Sequence, residues 1–303
     1  MRIAITGSAG LIGGALAADL AGGGHEVIRL VRRQPRGGGE VQWDPLAPDG
    51  LNPQALAGVT AVVHLAGAPV AGGRWTDARK AQLRASRIQS THTLVRAMTA
   101  TADRPEVFLC GSAIGWYGDT GGRPVTETAP MGAGFLAELV RDWEDASAPA
   151  AAAGIRVLNL RSGIVLSRYG GMLGQLLPLF RLGLGSRFGA GSQYVSWITL
   201  TDELRAIRFL MDQRDITGPV NLTAPEPVTN AEFTAALAHA LRRPAVLRVP
   251  ASLLRAGLGE MSGELLTGAK VLPGKLQHSK FAFRYPGISA GLDSELGRVR
   301  PAA

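Results

Sequence analysis

Three groups of residues combine type and spacing in a way that suggests chemistry. The first is Gly7-Ser8-Ala9-Gly10-Leu11-Ile12-Gly13, in which a glycine recurs at every third position. Gly7 permits a tight turn, Gly10 lets backbone N–H groups approach a pyrophosphate, and Gly13 lets a helix pack closely on the strand before it. The positive end of a helix opening at Leu11 then faces the phosphates. A three-glycine match means little in a chain with 40 glycines. Here it follows the apolar run Arg2–Thr6 directly and opens a helical pattern, which is the context a dinucleotide loop requires. The second group closes the next apolar run, Leu30-Val31-Arg32-Arg33. A site selective for NAD usually ends this strand in a carboxylate that binds the ribose hydroxyls. A carboxylate would repel a 2′-phosphate, whereas two guanidiniums pair with it, so Arg32 and Arg33 predict NADP(H) over NAD(H). The third group is Cys110-Gly111-Ser112-Ala113-Ile114-Gly115-Trp116-Tyr117-Gly118. Ser112 stands just past an apolar run, where a parallel sheet presents its carboxyl edge to substrate. Its hydroxyl either bonds a substrate oxygen or turns back on its own loop. Tyr117 is either a proton donor or a packing residue, with Trp116 beside it on the substrate side.

Other candidates belong to the same edge. Leu65-Ala66-Gly67 ends a run whose small residues permit close backbone contact with a cofactor. Asp44 either accepts from an adenine amino group or serves as a plain turn aspartate before Pro45. Arg87 lies in a long polar helical pattern, where a solvated face is the default. In the second half Gln193, Tyr194, Ser196 and Trp197 are of the type that orients a ring, and Arg161 could meet an anion; packing is the alternative for each. Asp202-Glu203 reads as a helix cap, with Thr201 and Asp202 at the helix start.

These residues need a scaffold, and the chain is long enough for one: 303 residues, 46% hydrophobic and only 18% charged, which excludes disorder from excess charge. To about residue 165, β-branched runs alternate with helical patterns, the signature of βαβ units and a parallel sheet. The expected strands are Arg2–Thr6, Glu26–Val31, Ala61–Ala66, Val107–Gly111 and Arg156–Leu160. The expected helices include Leu11–Ala21, Asp77–Thr99 and Gly134–Ala153. Beyond 165 the alternation breaks down into glycine-rich sequence, a strand near Val220–Leu222 and an amphipathic helix Asn230–Leu241. The expected division is a dinucleotide-binding domain over 1–165, with segments near 195–223 returning to the sheet, and a smaller substrate lobe over 166–303.

Several classes are excluded or disfavoured. Cys110 is the only cysteine and the five histidines include no His-x-x-x-His pair, so neither a disulfide nor a metal site is expected. The net charge of +8 comes with no basic run alternating with aromatics, which argues against nucleic acid. No apolar run approaches the roughly 20 residues that span a bilayer. The N-terminus lacks a basic lead, apolar stretch and cleavage site in series. A cytoplasmic protein without a membrane partner is the expectation.

Taken together, the glycine loop, Leu65-Ala66-Gly67 and the Ser112 loop resemble the extended short-chain dehydrogenase/reductase (SDR) superfamily. More narrowly, the chain is similar to the atypical subgroup of epimerase family SDR39U1-like proteins. The matching segments are Arg74-Trp75-Thr76, Ser86-Arg87-Ile88, Ser112–Asp119, Phe135-Leu136-Ala137-Glu138, Asp142-Trp143-Glu144, Arg161-Ser162-Gly163-Ile164-Val165-Leu166, Gly189–Trp197 and Asn221–Pro227. The resemblance implies an α/β fold, a doubly wound Rossmann sheet of about seven parallel strands with a C-terminal substrate lobe. It also implies NADP binding, with Arg32, Arg33, Leu65, Ala66 and Arg87 on the cofactor. Family members often carry an acidic residue where this chain has Gln82. The superfamily's Tyr-x-x-x-Lys pair, in which lysine lowers the tyrosine pKa, is missing: the residues four positions after the tyrosines are Gly121, Leu173, Ile198 and Ser289. Two readings follow. One is an NADP(H)-dependent oxidoreductase or epimerase-like protein acting on a small carbonyl or sugar-type substrate, with Ser112 assisting and Tyr117 or water as donor; Glu138 is a further candidate. The other is a catalytically silent NADP(H) sensor.

Overall fold

The computed structural model describes residues 1–71 and 73–297; the last six residues of the expected second lobe lie outside them. Seven strands form one parallel sheet: β1 (Arg2–Thr6), β2 (Glu26–Val31), β3 (Glu40–Gln42), β4 (Ala61–His64), β5 (Val107–Ala113), β6 (Arg156–Ser162) and β7 (Gly218–Leu222), in the order β7-β6-β5-β4-β1-β2-β3. The order reverses at β1/β4, the crevice where such folds bind ligands. The chain also forms helices α1 (Leu11–Gly22), α2 (Asp77–Arg84), α3 (Ser90–Ala100), α4 (Phe135–Ala152), α5 (Gly171–Arg181), α6 (Leu200–Asp212), α7 (Asn230–Leu241) and α8 (Ala251–Leu258); α1 and α6 cover one face of the sheet, α3 and α4 the other.

The period of two in β1 shows how the layers are built. Ile3 and Ile5 point to one face, into a cluster with Leu16 and Leu20 of α1 and Ile207 and Leu210 of α6. Ala4 points to the other face, toward Leu94 and Met98 of α3 and Trp143 and Ala150 of α4. Both faces of the strand are thus buried, which is why its sequence reads as a continuous apolar run. Each fully buried leucine in these layers contributes roughly 1.5–3 kcal/mol.

Three differences from the sequence reading bear on the site. The run from Ala61 leaves the sheet after His64, because the Leu65 and Ala66 N–H groups turn to the Thr6 hydroxyl (3.1 and 3.2 Å). The expected helix Asp77–Thr99 is broken by a π-helical turn, Ala85–Gln89, between α2 and α3. The extra residue in that turn rotates the following side chains, and Arg87 points inward, 8% exposed, rather than to solvent. The strands expected to end at Gly111 and Leu160 run on to Ala113 and Ser162, so Ser112 pairs with Arg161 across β5 and β6.

Beyond β6, the short strands Ile164–Leu166 and Trp197–Thr199 pair in parallel, and α6 then returns to pack on the sheet. The cap of α6 is Thr199, whose hydroxyl accepts from Asp202 N (3.1 Å), not Thr201 or Asp202. The buried Asp202 carboxylate instead holds the backbone N–H groups of Arg284 and Tyr285 (2.9 and 2.8 Å), tying the C-terminal segment down. A third apolar cluster, including Phe180, Trp197, Phe233 and Leu237, forms the core beneath α5 and α7.

Candidate functional site

The glycine loop is a backbone cradle with no room for side chains. Gly7 has φ +69°, and a Cβ there would sit 2.6 Å from the Leu65 carbonyl carbon and oxygen. A Cβ on Gly13 would meet the Gly7 carbonyl oxygen at 2.4 Å. Gly10 N donates to Gly7 O (2.9 Å) and no side chain caps α1. The first-turn N–H groups of α1 therefore remain available to an anion, with the helix dipole aligned toward it. Ser8 and Leu11 are partly exposed, while Ala9 and Gly10 are open to solvent. Ile12 packs against the sheet cluster.

Beneath the cradle lies a lock that the sequence did not reveal. Thr6 Oγ1 accepts the two N–H groups of Leu65 and Ala66, so its own proton goes to His64 Nδ1 at 2.7 Å. Ser90 Oγ donates to backbone carbonyls of Ser86 and Arg87, so it accepts from His64 Nε2 at 3.1 Å. The hydrogen bonds thus define a neutral imidazole protonated at Nε2. Burial, with the charge of Arg87, pushes the His64 pKa down to about 3. This lock fixes the ends of β1 and β4 at the switch point. Nothing local in Val62-Val63-His64 marks the role, because both partners are distant in sequence.

Arg87 donates to the carbonyl of Ala68 (3.0 Å) and lies 5.2 Å over the Trp143 ring. A Cβ on Gly67 would come within 3.3 Å of its guanidinium carbon. Burial and the nearby Arg79 pull its pKa down to about 10. The side chain therefore braces the Leu65–Gly67 edge. Arg32 is exposed past the end of β2, whereas Arg33 makes a two-pronged pair with Glu40 (2.8 and 2.7 Å). That pair, with the Arg36 N–H, holds the Glu40 pKa down to about 2. Asp44 accepts from Leu46 N at 2.9 Å, the geometry of a turn aspartate.

At the end of β5 the structure assembles a second constellation. Ser112 Oγ donates to Glu144 Oε1 at 2.6 Å, and the Arg161 fork grips both oxygens of that carboxylate at 2.8 Å. Arg161 also donates to the Tyr117 hydroxyl (3.1 Å), which donates to Asn221 Oδ1 (2.7 Å). The guanidinium stacks 4.0 Å from the Trp116 ring centroid. Arg161 is 2% and Tyr117 3% exposed. Burial raises the Tyr117 pKa, and the Arg161 cation only partly offsets this. The anion that Arg161 meets is thus the protein's own Glu144. On α4, Leu136 and Val140, one turn apart, face Gly115 of the Ser112 loop.

Several residues expected at the substrate are structural. Trp197 is fully buried and donates to the Glu226 carbonyl (3.1 Å), so no ring face is left for a ligand. Gln193 spends its amide on the carbonyls of Phe188 and Leu265 (3.2 and 2.6 Å). Ser196 is tied to Ala269 and Val271. Glu138 lies on the exposed face of α4, 3.4 Å from Arg84. Trp116 is half-buried, its indole donating to Ala129 O (3.3 Å). Glu203, expected with Asp202 to cap a helix, is instead a buried acid: it accepts from Ser162 (2.6 Å), its second oxygen has no partner, and burial raises its pKa to about 8. Among the described residues no group of three or more His, Cys, Asp or Glu is placed to hold a metal ion, and no helix is long and apolar enough to cross a membrane.

A seven-stranded parallel sheet with a glycine cradle at its switch point defines a Rossmann-type dinucleotide-binding α/β protein. Residues 3–223 match the model of the NAD dependent epimerase/dehydratase family, to which the chain belongs, and residues 249–294 match a domain of unknown function, DUF1731. The chain is 47% identical over 292 residues to the epimerase family protein Mb2239 of Mycobacterium bovis, covering 96% of each. It is 36% identical over 296 residues to mouse epimerase family protein SDR39U1, covering 96% of this chain and 98% of the relative. The crystal structure of human epimerase family protein SDR39U1 with NADPH superposes with a TM-score of 0.89 at 30% identity, over 99% of this chain and 100% of that one. A nucleoside-diphosphate sugar epimerase from Corynebacterium glutamicum gives 0.80 at 36% identity, over 98% of this chain and 58% of that one.

Proposed function

We propose that this protein is an NADP(H)-dependent oxidoreductase or epimerase-like enzyme acting on a small carbonyl or sugar-type substrate. The observation that carries the reading is the side-chain-free cradle of Gly7 and Gly13 at an uncapped helix N-terminus, beside the exposed Arg32. The N–H groups from Gly7 to Gly13 would hold the pyrophosphate, and the Leu65–Gly67 edge would lie against the cofactor. Arg33 is engaged by Glu40, so Arg32 is the guanidinium that would meet a 2′-phosphate. The solved human relative bound NADPH. When bound, the cofactor supplies a hydride donor or acceptor.

The residues near Ser112 can then move a proton without a Tyr-x-x-x-Lys pair. A substrate hydroxyl arriving at Ser112 would pass its proton to Ser112 Oγ while the Ser112 proton passes to Glu144 Oε1, already at 2.6 Å. Arg161 holds that carboxylate through both oxygens, which fixes the acceptor in place. In the reductive direction the same protons run back to the substrate oxygen. Tyr117, held by Arg161 and Asn221, positions the guanidinium.

Calorimetric titration tests the cofactor assignment. NADPH is expected to bind more tightly than NADH, and Arg32→Asp to weaken NADPH at least about tenfold through loss of a charge-assisted contact. No heat with either reduced dinucleotide, or parent-like NADPH affinity in Arg32→Asp, overturns it. Substrate-dependent change in NADPH absorbance, abolished by Ser112→Ala, tests the chemistry. A second reading, a catalytically silent sensor of NADP(H), is favoured by the enclosed hydroxyl of Tyr117 and the apolar Leu136/Val140 pair facing the Ser112 loop. Tight NADPH binding without turnover across a broad carbonyl and nucleotide-sugar panel would select it.

A further inference from the structure

Among the described residues nine bulky apolar side chains are exposed, and six of them fall in two short segments: Leu179, Leu182 and Leu184, and Val246, Leu247 and Leu253. The two segments are neighbours in space. Ser186–Phe188 pairs in parallel with Leu247–Val249, Gly183 abuts Pro244 and Gly185 abuts Ala245. Together with the end of α5 and the start of α8 they make one end of the smaller lobe.

Charge in these segments is of one sign. Arg181, Arg187, Arg242, Arg243, Arg248 and Arg255 are all exposed, and among the described residues none of the six forms an ion pair. The sequence holds no Asp or Glu from 161 to 201 or from 233 to 259. The shape is also informative. Val246 is 85% and Leu182 74% exposed, so these side chains project outward. A groove that receives a partner helix would shield its apolar lining much more.

We propose that this end of the smaller lobe is a peripheral docking surface for an anionic lipid bilayer. Projecting aliphatic side chains beside arginines, on segments that carry no carboxylate of their own, match what an interfacial surface needs. The arginine stems can lie along the apolar layer while their heads stay at phosphate level. The expectation of no membrane contact came from the missing spanning run, and surface docking requires no such run.

The test is co-sedimentation of the full chain with phosphatidylcholine vesicles, with and without about one-third phosphatidylglycerol. Binding is expected only with the anionic lipid, and it should weaken as salt rises. The triple variant Arg181→Gln/Arg187→Gln/Arg243→Gln is expected to lose at least about tenfold in vesicle affinity. Leu182→Ser/Val246→Ser/Leu253→Ser should lose binding even at low salt. Arg248 is left intact because it also donates to Gly189 O (2.6 Å). Unchanged circular dichroism and NADPH affinity in both variants separate this surface from the dinucleotide site and from misfolding. Absence of vesicle binding by the parent chain at low salt overturns the proposal. So does concentration-dependent dimerisation in sedimentation velocity that the Leu/Val variant abolishes, since a second copy would then cover the face. Binding to an acidic helical peptide but not to vesicles overturns it as well.

Discussion

Replacing Arg161 by methionine removes the guanidinium from an ion pair whose side chains are only 2% and 10% exposed. Methionine fills much of the same space, so the loss is mainly electrostatic. Glu144 keeps only the Ser112 hydroxyl, and the Tyr117 oxygen loses its donor. Stranding a buried carboxylate in this way costs roughly 3–5 kcal/mol, which for a domain of this size lowers Tm by about 10 °C. Glu144→Gln combined with Arg161→Met leaves no unpaired charge and should recover most of that loss, because the two sites are strongly coupled. Arg161→Lys should fall between, keeping the charge but losing the two-pronged fork. Arg141→Met, which removes an exposed partner of Asp142, serves as the control and should leave the midpoint nearly unchanged. The assay is urea unfolding followed by circular dichroism and tryptophan fluorescence, with Trp116 stacked on the residue replaced. If Arg161→Met loses less than about 1 kcal/mol, or the double variant is no better than the single, the pair is not acting as a buried, coupled unit.

Three more expectations follow from the same geometry. Gly7→Ala puts a Cβ 2.6 Å from the Leu65 carbonyl at φ +69°; a stability loss of about 2 kcal/mol or more is expected, with loss of NADPH heat, and an unaltered calorimetric trace would contradict the cradle. His64, held neutral with its pKa near 3 instead of 6.5, gives stability that is present above pH 6.5 and lost as pH falls toward 3, since only the unfolded chain takes up the proton in that window. Ring resonances in NMR should keep the neutral pattern down to about pH 4; titration near 6.5 in the folded protein would refute the lock. Glu203 has the opposite sign: its pKa is raised from 4.5 to about 8, so its contribution is full below 4.5 and lost as pH rises through 8. Glu203→Gln should therefore match the parent in thermal melts near pH 4.5 and exceed it above pH 8, and equal melting at alkaline pH would show that the carboxyl ionises without penalty.

The sequence by itself determined the frame. The apolar runs Arg2–Thr6 and Glu26–Val31 are strands with those same limits, and Asn230–Leu241 is a helix with those limits, because buried parallel strands and capped amphipathic helices write themselves in local pattern. The glycine spacing was legible for the same reason: a turn, a close approach and a helix start all lie within seven residues. What only the tertiary structure decided is which side chains face one another. Ser112 and Glu144 are 32 positions apart, Thr6 and His64 are 58 apart, and Tyr117 and Asn221 are 104 apart. No short window contains such a pair. One inserted residue at Ala85–Gln89 turned Arg87 inward, and core packing claimed Trp197. Period and capping are properties of consecutive residues, whereas a hydrogen bond across the sheet exists only once strands from distant parts of the chain have been laid side by side.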